Sequence, residues 1–86
     1  MNPNNFHEML DFQIRLSYMS QKELALTIRV SQNTVSNWCR GISEPSLEHF
    51  FLMCFIFSRK QDVPLISIVN QFLIVYPIPV PKAFRV

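Results

Sequence analysis

Residues 32–40 carry hydrogen-bonding side chains and no acid: Gln32, Asn33, Thr34, Ser36, Asn37 and Arg40 alternate with Val35, Trp38 and Cys39. Wound as a helix at about 100° per residue with Gln32 at zero, Ser36, Arg40, Asn33 and Asn37 fall between about 40° and 140°. Trp38, Val35 and Cys39 fall at about 240° to 340°, and Thr34 lies between the two arcs, nearer the apolar one. The outward arc therefore presents three amides, a hydroxyl and a guanidinium. Gln and Asn side chains can form paired donor and acceptor bonds with N6 and N7 of adenine in a major groove. A carboxylate on that arc would repel phosphates. Arg40, near the helix end, can reach a phosphate or a guanine.

A short helix reads a groove only if something holds it. Ser20 with Glu23 three positions on is a capping-box pattern, which predicts a helix over residues 21–28 burying Leu24, Ala25 and Ile28. Ser31 offers another N-cap four residues after Thr27, so the chain must stop, turn sharply and restart. The next helix is expected from Gln32 to about Arg40. It ends at Gly41, the single glycine, where a left-handed residue closes a helix at no steric cost. Lys22, beside the start of the preceding helix, is placed to meet a phosphate.

The remaining chain reads as helices and a tail. Phe6, Met9, Leu10, Ile14 and Leu16 lie near helical spacing, which predicts a first helix over 6–16. Pro45 and Ser46 open a fourth, expected through 57 and rich in large apolar residues, followed by a polar break at 59–62. Pro64 suits the first turn of a fifth helix over about 65–72. Phe72 to Tyr76 is β-prone, and Pro77, Pro79 and Pro81 then alternate with apolar residues. Alternating prolines exclude a helix or a central strand, so an extended tail is expected over 73–86, beside a domain over 1–72.

Composition narrows the function classes. The chain has 86 residues, 49% of them apolar and 16% charged, which is a folding composition for one small domain. One glycine in the whole chain favours helices over a sandwich. A net charge of +2 permits a polyanionic partner without demanding one, so any phosphate binding must come from local placement. Cys39 and Cys54 are far apart and suggest reduced thiols in a cytoplasmic protein. The first residues lack a signal-peptide layout, and the most apolar run, 50–57, is too short to span a bilayer. His7 and His49 have no partner at ligand spacing, so neither metal nor cofactor is expected. No strained nucleophile turn or glycine-rich phosphate loop argues for an enzyme.

The segments Gln21-Lys22-Glu23-Leu24-Ala25 and Thr34-Val35-Ser36-Asn37-Trp38-Cys39-Arg40-Gly41 resemble the Cro/lambda-repressor-like (XRE-type) helix-turn-helix family. Glu44-Pro45-Ser46-Leu47-Glu48 extends the likeness, which covers about residues 6–72 with its specific part at 20–41. The resemblance implies an all-α, compact bundle of five helices whose third enters the major groove of double-stranded DNA. It implies base reading by Gln32, Asn33, Ser36 and Asn37. Phosphate contacts would come from Gln21, which also braces Gln32, and from Arg40. Two positions depart from the family pattern. Arg29 stands where glycine usually ends the second helix, at a cost of about 1 kcal/mol for a left-handed backbone. Cys39 replaces a glutamate usually paired with a first-helix arginine, whose position corresponds to Ile14.

One such module touches little DNA, so a homodimer reading two half-sites is expected. The apolar helix from Leu47 to Phe57 and the tail from Phe72 to Val80 are the candidate interfaces, and the tail can equally pack over its own core. The leading expectation is a sequence-specific transcriptional regulator, most simply a repressor. The alternative is an antitoxin-like or adaptor protein whose apolar tail binds a protein partner.

Overall fold

Helix starts in this chain are written locally. Asn5, Ser20, Ser31 and Ser46 each adopt an extended backbone and accept, through the side chain, the amide three residues on. Each satisfies one of the amides that a helix start leaves without an internal partner. The computed structural model, which describes residues 3–75, accordingly contains α1 (Phe6–Leu16), α2 (Gln21–Ile28), α3 (Gln32–Cys39), α4 (Leu47–Gln61) and α5 (Leu65–Val75). No strand occurs among the described residues. The protein is an all-α bundle.

Helix ends share a second device. Tyr18, Arg29, Gly41 and Asp62 close α1 to α4 with φ of 54°, 62°, 74° and 55°. In each case the next amide reaches back to a carbonyl five residues earlier: Met19 to Ile14, Val30 to Ala25, Ile42 to Asn37 and Val63 to Ser58, at 2.9–3.2 Å. These back-bonds satisfy carbonyls that the helix end would otherwise leave free. Three of the four left-handed residues are not glycine.

Two boundaries differ from the sequence expectation. α4 continues through residues 58–61, because Gln61 turns inward to hydrogen-bond and the stop comes only at Asp62. α5 runs on to Val75, so residues 73–75 are helical rather than the start of an extended tail. The buried Phe72 anchors that last turn, and tertiary packing overrides the local β preference. The alternating prolines of the expected tail lie outside the described residues.

The core gathers from all five helices: Phe6, Met9, Leu10 and Ile14; Leu24, Ala25 and Ile28; Val35 and Trp38; Met53, Cys54 and Phe57; Ile68 and Phe72. Phe72 is its hub, with ring centroids 5.2 Å from Phe50, 5.4 Å from Phe6 and 6.5 Å from Phe57. Each such side chain withdrawn from water contributes about 1.5–3 kcal/mol. Leu16, expected on the apolar side of α1, is exposed.

One polar group sits at full depth. Gln13 of α1 is completely buried, and its Nε2 donates to Gln71 Oε1 at 2.7 Å. Gln61 Nε2 donates to Gln13 Oε1 at 2.7 Å and to Ser17 Oγ at 3.1 Å. The chain of amides ties α1 to both α4 and α5. Among the described residues, no buried side-chain nitrogen or oxygen lacks a partner.

Candidate nucleic-acid interface

The sequence restarts a helix within three residues, and the structure shows how. In α2, Ser20 Oγ accepts the Glu23 amide at 3.0 Å while the Glu23 carboxylate accepts the Ser20 amide at 3.3 Å. Leu24, Ala25 and Ile28 bury one side of this helix. Arg29 then takes the left-handed conformation (φ 62°, ψ 46°) and Val30 bonds back to Ala25, so the helix stops and the chain turns before Ser31. Arginine at this position keeps the turn that glycine would make.

α3 begins on Ser31, whose Oγ accepts the Thr34 amide at 3.0 Å and lies 2.7 Å from the Thr34 hydroxyl. The hydroxyl contact accounts for Thr34's half-buried place between the two arcs. Val35 and Trp38 are buried, and Cys39 is half-buried. Trp38 also meets His49 of α4, with ring centroids 5.7 Å apart and planes tilted 42°. α3 is thus held by α2 along one flank, by α1 and by a ring contact to α4.

The exit from α3 is equally fixed. Gly41 donates to the Trp38 carbonyl and Ile42 to that of Asn37. Besides its φ of +74°, Gly41 lies against His7: a Cβ there would come within 2.8 Å of His7 Nδ1. Only glycine combines that backbone with so close an approach.

The seven residues expected to meet DNA all stay outside the core. Gln32, Asn33, Lys22 and Arg40 are exposed, and Gln21, Ser36 and Asn37 are half-buried. The helix brings Gln32, Asn33, Ser36 and Asn37 onto one arc, opposite the buried Val35 and Trp38. Gln21 and Lys22 sit in the first turn of α2, where backbone amides and the helix dipole favour an anion.

Cys39 marks the inner edge of the arc. Burial, and then the nearby Asp11 carboxylate, push its thiol up to about 12. The thiol therefore stays protonated at ordinary pH. Asp11, paired with Arg15 at 2.9 Å, is the α1 charge that reaches α3. Ile14, the position matched to the family's arginine, is instead buried in the core.

Three supporting residues escaped the sequence reading. Gln13 was legible in principle, since it falls within the apolar arc of α1 defined by Phe6, Met9 and Leu10. His7 and His49, weighed in the sequence only to set metal binding aside, act as packing rings against Gly41 and Trp38. No spacing within either local segment announces those contacts.

Residues 13–54 match a protein-family model described as helix-turn-helix, spanning the last turn of α1 through the first half of α4. No curated protein and no solved structure matches the chain significantly.

Proposed function

Because the chain belongs to the Cro/lambda-repressor-like helix-turn-helix family, a family of DNA-binding regulators, we propose that it is a sequence-specific transcriptional repressor. The observation that carries this reading is the outward arc of α3, free of acids and held in place by a buried valine and tryptophan. Gln32 and Asn33, exposed in the first turn, read base edges, and Ser36 and Asn37 extend the contact one turn further. Gln21 and Lys22 at the start of α2, with Arg40 just past α3, grip phosphates and set the register without specifying sequence. Repression is the simplest outcome, since occupying a site is enough to exclude other proteins from it.

The protein works as a cytoplasmic homodimer without cofactor, metal or catalysis. Two modules related by a two-fold axis read half-sites about 34 Å, or one helical turn, apart. Among the described residues, no helix is long and apolar enough to cross a membrane.

Selection of bound duplexes from a random pool, followed by gel shift, tests the proposal. The parent should enrich a two-fold symmetric sequence. Gln32→Ala and Asn33→Ala should each lose preference at specific base positions by about tenfold, equivalent to roughly 1.4 kcal/mol, with the circular dichroism unchanged. Lys22→Ala should weaken binding evenly across sequences and flatten its salt dependence. If the two amide variants bind like the parent, the groove-reading proposal fails. The adaptor or antitoxin-like reading would then gain, and the observation favouring it is the apolar outer face of α4.

A further inference from the structure

α4 is apolar on two sides. Met53, Cys54 and Phe57 fill the core, yet Phe51, Leu52 and Phe55 on the opposite side remain 48%, 44% and 53% exposed. Together with Glu48 and with Leu65 of α5, they line a shallow groove. An aromatic strip of this kind is costly to leave in water and marks an interaction surface.

Its charges are ordered. Glu48 lies in the first turn of α4, and Arg59 lies in the last, its guanidinium 6.0 Å from the Phe55 ring centroid. At 1.5 Å per residue the two are about 16 Å apart along the axis. Acid, apolar centre, base is the order that a two-fold axis can match with itself. In an isologous contact, residue i of one copy meets residue j of the other, and j meets i.

We propose that the outer face of α4 pairs antiparallel with the α4 of a second copy of this chain. Glu48 of each copy then faces Arg59 of the other, and Leu52 faces Phe55 across the axis. A crossing near about 20°, common where helices pack side by side, keeps both ends within reach. The chain's own residues 76–86 are a poorer occupant. Their charged side chains, Lys82 and Arg85, would answer Glu48 but repel Arg59, whereas the side chains of a second copy answer both.

This pairing deepens the two-fold reading of the proposed function, but it is measured without DNA, so the two stand or fall separately. Sedimentation of the full chain should show a dimer. Glu48→Arg and Arg59→Glu should each lose it, because each variant places like charges opposite one another twice. Both positions are exposed, and circular dichroism should remain that of the parent.

Mixing the two single variants should restore a dimer, since each contributes the charge that the other lacks. The double variant E48R/R59E should associate with itself again. The proposal is overturned if the parent sediments as a monomer, if either single reversal leaves the dimer intact, or if neither mixing nor double reversal restores it. A monomeric parent that dimerises once residues 76–86 are removed would overturn it too, and would assign the groove to that segment.

Discussion

α3 and α4 are built with the same local devices and face outward with opposite chemistry. Both start on a serine that caps the third amide, and both end on a left-handed residue with a back-bond five residues long. Both bury an aromatic side chain, Trp38 in one and Phe57 in the other. Outward, α3 shows Gln32, Asn33 and Ser36, while α4 shows Phe51, Leu52 and Phe55. Caps decide where a helix begins and ends, and the inner face decides that it packs. Neither constrains the outer face, which is left free for binding. In this molecule one outer face suits a polyanion with patterned edges and the other suits an apolar surface.

The comparison predicts that the inner faces are interchangeable in energetic weight. Trp38→Ala and Phe57→Ala should each destabilise the fold by about 3–5 kcal/mol, because each leaves a cavity that neighbours fill only partly. Chemical denaturation of both variants checks this. A loss confined to Phe57→Ala would show that α3 is attached to the bundle rather than part of its core.

A smaller effect separates the rest of the bundle from α2 and α3. Gln13→Ala removes the partner of Gln61 and Gln71 and leaves the half-buried Gln71 side-chain oxygen without its donor. The expected loss is about 2 kcal/mol, the usual cost of an unsatisfied buried polar group. Because the network joins α1 to α4 and α5, the hydrogen-exchange protection of those helices should fall more than that of α2 and α3. Equal loss everywhere would mean that the bundle opens as one unit.

The smallest effects concern the two turns that flank α3. Arg29→Gly should stabilise by about 1 kcal/mol, since glycine adopts the left-handed backbone without penalty. Gly41→Ala should destabilise by about 1–2 kcal/mol from the same backbone term, with any displacement of His7 adding to it. Thermal melts of both variants measure the pair. Like signs would show that the two turns are not the equivalent stops that their hydrogen bonds indicate.

Much of the site was legible because its signals are local. Ser20, Glu23 and Ser31 act within three residues of themselves, so the cap-turn-cap layout and the bounds of α2 could be read directly. The apolar and polar arcs of α3 follow from helical periodicity alone, and the buried Val35 and Trp38 agree with them. The length of α5 was not legible. Residues 73–75 are β-prone in isolation, and only the cluster of Phe6, Phe50, Phe57 and Phe72 keeps the last turn wound.

By itself the sequence determined the family, the five helical segments and the residues that α3 turns outward, because each depends on spacings shorter than two helical turns. Tertiary structure alone decided that Gln13 would meet Gln61 and Gln71, that His7 would close on Gly41, and that the ring of His49 would brace Trp38. Those contacts join residues 11 to 58 positions apart. Over such distances the three-dimensional path of the chain selects the partners, and no local periodicity encodes it.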